Sequence, residues 1–96
     1  MTNAVHELEV TLLRRKHSLA QESYTARLIA AGEDEIVKKI GEEAVEVILA
    51  AKGQGDQRVI EESADLVYHL LVLLVSRDLS WSDVETELER RKAPRT

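Results

Sequence analysis

Acidic side chains are concentrated in two short stretches of the sequence. The first has the pattern E-E-x-x-E and the second has the pattern E-x-x-D; together they comprise Glu42, Glu43, Glu46, Glu62 and Asp65. Glu46 is the only charged residue in its run AVEVILAA, and Asp65 directly precedes a long apolar run. Because a carboxylate among apolar neighbours is costly to desolvate, these acids need a positive partner. Mg²⁺, which takes carboxylate oxygens as ligands, is the obvious candidate.

Helical geometry predicts that the two acidic clusters meet. Residues three or four apart lie on one face of a helix, so the members of each cluster can point to one place. The glycine-rich turn at residues 53–56 is short enough to make the two helices antiparallel neighbours. Each cluster lies roughly two helical turns from that turn, so we expect both at one height. Four or five carboxylates would then surround one Mg²⁺ or a pair.

Other interpretations of the acidic residues compete with a metal site. An E-E-x-x-E pattern alone is more typical of a solvated helix face, and Glu61 is expected to be solvated. A redox di-metal bundle uses Glu-x-x-His pairs, which this chain lacks. His69, one turn after Asp65, is a candidate either for orienting a carboxylate or contacting substrate, or for a buried structural hydrogen bond. The matching heights and the apolar surroundings of Glu46 and Asp65 favour the metal site.

The basic residues nearest the acidic cluster in sequence are Lys38, Lys39 and Arg27. They are candidates for contacts to a substrate phosphate. Lys39 also stands four residues before Glu43, the spacing of an ion pair that contributes only a few tenths of a kcal/mol. Both roles remain open at this point.

The length and composition indicate one domain spanning residues 1–96. The chain has a net charge of −5, which argues against general nucleic-acid binding, and zero cysteines, which excludes disulfides and thiolate metal sites. It has no apolar stretch long enough to span a bilayer and no signal-peptide pattern, so we expect no membrane partner and a cytoplasmic location.

The apolar periodicity predicts an all-α protein, an antiparallel bundle of four to five helices. We expect helices over residues 4–20, 23–31, 34–52, 57–77 and 80–92, with Gly32 as a C-cap, Asp34 as an N-cap, and Ser80 with Asp83 as a capping box. Residues 93–96 are predicted to be a disordered tail.

The two central helices are apolar on nearly every side. One broad face of the third helix is predicted to carry Ile36, Ile40, Ala44, Val47, Ile48 and Ala51, while Val45 and Leu49 cover much of the opposite side. A monomer of this size cannot easily cover two such helices, so the pattern favours a homodimer.

Three segments of the chain resemble a known family. The stretches SYTARLIAAGEDEIVKKIGEEAVEVILAAK, VIEESADLVYHLLVLL and LSWSDVETELERRK are similar to phosphoribosyl-ATP pyrophosphohydrolases of histidine biosynthesis. The two acidic motifs alone mark only the wider superfamily of MazG-like all-α nucleotide pyrophosphohydrolases. The narrower resemblance to phosphoribosyl-ATP pyrophosphohydrolases rests on two segments, Ser23-Tyr24-Thr25 and Lys38 to Glu46. Gln21-Glu22 depart from the Pro/Gly-containing approach of many relatives.

The resemblance implies hydrolysis of 1-(5-phosphoribosyl)-ATP to 1-(5-phosphoribosyl)-AMP and pyrophosphate with Mg²⁺. By this resemblance the five carboxylates of the two clusters bind metal, and Lys38 and Lys39 contact the triphosphate. Glu43 or Glu46 is the candidate for activating water. The resemblance further implies an intertwined homodimer whose sites draw on both subunits. The cyclohydrolase that acts next is expected to be a separate chain.

Two rival functions remain open. The first is a house-cleaning pyrophosphohydrolase, which would use the same metal cluster on non-standard or excess nucleoside triphosphates. The second is a non-catalytic dimerisation module, in which the carboxylates form only a polar seam between helices.

Overall fold

The computed structural model describes residues 3–92, and within this range the chain is helical with no strand. The elements are α1 (Ala4–Lys16), a 3₁₀ turn (Ala20–Glu22), α2 (Tyr24–Ala31), α3 (Glu33–Ala51), α4 (Asp56–Ser76) and α5 (Trp81–Arg90). The predicted all-α class is confirmed, whereas the predicted disordered tail at 93–96 lies outside the described residues. None of the helices between residues 3 and 92 has the length and apolar character needed to cross a membrane.

The first helix is shorter than predicted. It ends at Lys16 instead of continuing to Ala20, and Leu19 is extended, with ψ of 146°. Leu19 is also exposed, so a further helical turn would gain no apolar burial to offset its conformational entropy. The 3₁₀ turn at Ala20–Glu22 then delivers the chain to Ser23, whose hydroxyl oxygen accepts a hydrogen bond from the Ala26 N–H and caps α2.

The junction between α2 and α3 is a single glycine. Gly32 ends α2 as predicted, but it also stands in the N-cap position of α3, so the prediction of Asp34 as N-cap is wrong. Gly32 has φ of +107°, a conformation that lets the chain turn sharply between the helices and that other residues rarely adopt. Glu33, Asp34 and Glu35 therefore fill the first turn of α3, where their charge favours the helix dipole.

Helices α3 and α4 form an antiparallel hairpin, the largest helix–helix contact in the described chain. The turn between them uses positive φ at Gly53 and Gly55. Glu43 lies ten residues before Gly53, and Asp65 lies ten residues after Gly55. The hairpin therefore brings both acidic clusters to one height, as predicted.

The apolar core lies at the end of the hairpin away from this turn. Its buried residues come from four helices: Leu12, Leu28, Ile36, Leu71, Val72 and Val75. Trp81 of α5 packs against this cluster and so joins α5 to the core. The core draws on α3 only as far as Ile40 and on α4 only from Val67 onward. The acidic clusters therefore lie on the part of the hairpin that extends beyond the core.

The inward face of α3 differs from the predicted one. Ile36 and Ala50 are buried. Ile48 and Ala51, which were predicted on the same face as Ile36, are exposed. The face that packs on α4 is therefore rotated toward Glu43, which shares its side of the helix with Ile36 and Ala50. Because α3 is apolar on nearly every side, the apolar pattern alone could not select which side faces α4.

Candidate metal centre

Three carboxylates meet where α3 and α4 pack together. One oxygen from each of Glu43, Glu62 and Asp65 lies within 4.8 Å of the other two. Glu62 is buried, Glu43 is half-buried and Asp65 is exposed, so the group extends from the helix interface to the solvent. Such an arrangement gives a ligand an open side from which to enter.

The helical positions explain which acid of α3 joins this group. Successive residues rotate by about 100° around a helix axis, which places Glu43 on the side that faces α4. Glu46 lies about 60° away and Glu42 about 100° away on the same count. Both fall outside the group of three, although all five acids were predicted as metal ligands.

The buried carboxylate Glu62 has a basic partner that the sequence analysis missed. Arg58, one turn earlier on α4, donates from one guanidinium nitrogen to Glu62 and from another to Glu61, at 2.6 Å in the latter pair. Glu62 is only 6% exposed, so this pairing offsets part of its desolvation cost. The spacing of Arg58 and Glu62, four residues apart in a helix, was the available signal. Glu61 itself lies outside the group of three, as expected.

Lys39 is the predicted phosphate-binding residue that lies nearest the acids. Its ammonium is 3.3 Å from a carboxylate oxygen of Glu42, three residues later, so the ion pair of Lys39 forms with Glu42 instead of the Glu43 considered for it. The hydrogen bond and charge of Glu42 raise the pKa of Lys39, with smaller contributions from Tyr24 and Glu43. Lys39 is thus a cation at neutral pH beside the carboxylate group.

The other two predicted basic residues are both exposed on the surface. Lys38 is exposed and about 140° around the α3 axis from Glu43. Arg27 is exposed on α2. Among the described residues, neither forms an ion pair with Glu43, Glu62 or Asp65.

A hydrogen-bonded chain connects α2 to the site. The Tyr24 hydroxyl lies 2.9 Å from His69 Nε2, and His69 Nδ1 lies 2.8 Å from the main-chain oxygen of Asp65. His69 is buried, consistent with the structural role considered for it, but its partner Tyr24 was not anticipated as a site residue. Burial raises the pKa of Tyr24; the charge of Lys39 opposes this, while Tyr68, Glu43 and Glu42 add to it.

The donor set fits a hard divalent cation. All three converging groups are carboxylates, and oxygen is the ligand that Mg²⁺ prefers. Three like charges within 4.8 Å repel one another in the absence of a counterion, since Arg58 is close to only one of them. A cation would relieve that repulsion, which makes the group of three the best-supported metal site among residues 3–92.

Comparison with known proteins then identifies the family. The model of the phosphoribosyl-ATP pyrophosphohydrolase family matches residues 5–92. The chain belongs to this family. The predicted family and its hydrolase class are therefore confirmed.

Relatives of the phosphoribosyl-ATP pyrophosphohydrolase family match at nearly full length. A protein of Pyrobaculum islandicum is 52% identical over 91% of this chain and 93% of its own length. A protein of Metallosphaera sedula is 44% identical over 95% of this chain and 98% of its own length. One of Leptospira biflexa is 49% identical over 88% of this chain and 92% of its own length. All three are named phosphoribosyl-ATP pyrophosphatase.

Proposed function

We propose that this protein hydrolyses 1-(5-phosphoribosyl)-ATP to 1-(5-phosphoribosyl)-AMP and pyrophosphate, the second step of histidine biosynthesis. The observation that carries the proposal is the convergence of Glu43, Glu62 and Asp65, each of which has a carboxylate oxygen within 4.8 Å of the other two. This group occurs in a chain that belongs to the phosphoribosyl-ATP pyrophosphohydrolase family. The names of relatives that are about half identical supply the substrate.

Glu43, Glu62 and Asp65 would hold Mg²⁺, with Glu42 and Glu46 at the margin of the site. When bound, Mg²⁺ offsets the charge of the phosphate oxygens and orients the leaving pyrophosphate. Arg58 holds the buried carboxylate of Glu62 in place through a hydrogen bond from its guanidinium. Without such a cation, an acidic protein of net charge −5 would repel a triphosphate.

The remaining side chains divide the work on the substrate. Lys39, a cation next to Glu42, would contact a phosphate oxygen of the substrate. A carboxylate that is not fully engaged with metal would accept the proton of the attacking water. Glu46 suits this role because it lies outside the group of three, and Glu43 is the alternative.

The substrate proposal is tested by measuring pyrophosphate release from phosphoribosyl-ATP and from a panel of dNTPs, each with and without Mg²⁺. We expect phosphoribosyl-ATP to be preferred and release to require the cation. A preference for a dNTP would instead support the house-cleaning function. The absence of hydrolysis on every nucleotide would favour a non-catalytic dimerisation module.

A homodimer is part of this proposal. Four apolar residues of α3 that do not face α4 are exposed in the single chain, namely Val37, Val45, Ile48 and Leu49. Exposed apolar residues of this kind on a central helix favour association with a second copy. The cytoplasmic location and the separate cyclohydrolase for the next step likewise stay predictions.

A further inference from the structure

The guanidinium of Arg58 is a cation bonded directly to the group of three carboxylates. Its Nη2 donates to Oε1 of Glu62 at 2.5 Å, and Glu62 is one of the three acids that converge within 4.8 Å. Within residues 3–92, this ion pair is the only one that includes a member of the group. Lys39, by comparison, contacts Glu42, which lies outside it.

The position of Arg58 on α4 explains this contact. At about 100° per residue, Arg58, Glu62 and Asp65 lie within about 60° of one another around the helix axis, and Arg58 falls between the two acids in angle. Arg58 stands one turn closer to the start of α4 than Glu62. Because side chains on a helix tilt toward its N-terminus, the carboxylate of Glu62 leans toward Arg58. The guanidinium therefore borders the group on the side of the glycine turn.

A second acid holds the same guanidinium from the solvent side. Nη1 of Arg58 donates to Oε1 of Glu61 at 2.6 Å, and Nε2 of Gln57 donates to the other oxygen of Glu61 at 3.2 Å. The hydrogen bonds from Arg58 and Gln57 lower the pKa of Glu61, so Glu61 stays ionised at neutral pH. Because Glu61 lies outside the group of three, it keeps the guanidinium at the edge of the group when Glu62 binds another cation.

Arg58 has donors left for a further ligand. A guanidinium carries five N–H donors, and the two hydrogen bonds of Arg58 within the described chain use one donor each. Its side chain is 47% exposed, whereas Glu62 is buried. Arg58 thus extends from a buried carboxylate to the solvent, where an arriving anion can accept its remaining hydrogens. Phosphate suits this donor set, because two parallel N–H groups of a planar guanidinium match two phosphate oxygens.

We propose that Arg58 is a further substrate-binding residue, which donates hydrogen bonds to a phosphate of the triphosphate chain beside the metal site. Its charge offsets part of the repulsion between an anionic substrate and a protein of net charge −5. The inference rests on the proposed function, because Arg58 has a phosphate to contact only if the substrate is a nucleotide polyphosphate.

A binding experiment separates contact with phosphate from support of Glu62. Calorimetry with Mn²⁺ alone measures the cation site, and calorimetry of inorganic pyrophosphate with the Mn²⁺-saturated protein measures the phosphate site. Arg58→Gln should weaken the second affinity about tenfold or more, the effect of losing a hydrogen bond between charged groups. Unchanged pyrophosphate affinity at saturating Mn²⁺ would show that Arg58 only supports Glu62. That result, or a wild type that binds no pyrophosphate, would overturn the proposal.

The kinetic experiment has a matched control at the other end of α4. Arg77 is 58% exposed and pairs with Glu33, so Arg77→Gln makes the same chemical change on the same helix away from the acids. At saturating Mg²⁺, Arg58→Gln should raise the KM for phosphoribosyl-ATP about tenfold or more. Arg77→Gln should leave KM within about twofold of wild type. An equal rise in both would mean that general positive charge attracts the substrate, and would overturn the specific role of Arg58.

A second substitution guards against loss of folding, since Arg58→Gln leaves the buried Glu62 without its cation. Arg58→Lys keeps a positive partner for Glu62, so its thermal unfolding midpoint should stay close to wild type. It lacks the paired N–H donors, and its pyrophosphate affinity at saturating Mn²⁺ should still fall by about threefold or more. A folded lysine variant with wild-type affinity would overturn the paired contact.

Failure of the proposed function can be told apart from failure of this inference. A wild-type protein that releases no pyrophosphate from phosphoribosyl-ATP would overturn the proposed function and the role of Arg58 with it. An active wild type whose KM is unchanged in Arg58→Gln would overturn the role of Arg58 alone.

Discussion

Individual carboxylates at this site differ in burial and in partners, and these differences assign them different roles. Glu62 is the most deeply buried of the three converging acids, and Arg58 contacts it directly. Glu61, its neighbour in sequence, contacts the same arginine but is exposed and outside the group. The two glutamates therefore share a partner and a helix, and differ in their access to the metal site.

We predict that Glu62→Gln weakens divalent-cation binding by roughly tenfold or more, because one of three charged ligands is lost. Mn²⁺ binding measured by calorimetry, and the Mg²⁺ concentration for half-maximal pyrophosphate release, provide the measurement. Stability of the metal-free protein should fall by no more than about 1 kcal/mol, because Arg58 retains Glu61 and the repulsion among like charges is reduced.

The matched control for this change is Glu61→Gln, which removes the same charge beside the same arginine. It should leave both the Mn²⁺ affinity and the Mg²⁺ requirement close to wild type. An equal loss in the two variants would mean that general charge, rather than the group of three, attracts the cation.

Residue types and spacing predicted the acids of the site but not their ranking. The apolar neighbours of Glu46 made it the most conspicuous acid of the first cluster, yet Glu43 is the α3 acid that approaches Glu62 and Asp65. Which acid faces α4 depends on the rotation of α3 about its axis. That rotation is decided by packing against the neighbouring helix, which apolar periodicity does not specify when a helix is apolar on nearly every side.

At the scale of elements, local signals in the sequence predicted helix starts best where a side chain caps the helix. Ser80 and Asp83 form the predicted capping box at the start of α5, with both hydrogen bonds present. The N–H of Trp81 has a distant partner as well, since a carboxylate oxygen of Glu9 in α1 accepts from it at 2.6 Å. No local pattern predicts that second contact, because it joins residues 72 positions apart.

We predict that Ser80→Ala lowers the free energy of unfolding by about 1 kcal/mol, since an uncapped N–H remains at the start of α5. Urea unfolding at one fixed protein concentration measures the effect. Ser82→Ala, in the first turn of the same helix, makes the identical chemical change at an exposed position and should be neutral, because alanine favours the helix interior. A cost at Ser82 as large as that at Ser80 would contradict the capping argument.

At the scale of the whole molecule, the described chain leaves part of its longest hairpin without a covering layer. The apolar core lies at the end of the hairpin that is remote from the turn. It includes residues of α3 up to Ile40 and residues of α4 from Val67 onward. Beyond it, Val45, Ile48 and Leu49 are exposed on the side of α3 that faces away from α4. A second copy packed on this surface would cover these apolar side chains.

Replacement of Ile48 by lysine tests that arrangement. Ile48 is 57% exposed in the single chain, and burial of such a side chain contributes about 2 kcal/mol, counted twice in a symmetric dimer. We therefore predict that Ile48→Lys weakens dimerisation by about 1,000-fold or more, measured by sedimentation equilibrium over a range of concentrations. Val10→Lys is the matched control, because Val10 is 62% exposed on α1, away from this surface, and should leave the dimer intact. A wild-type chain that stays monomeric at high concentration, or an Ile48→Lys variant as dimeric as wild type, would show that α3 is not the interface.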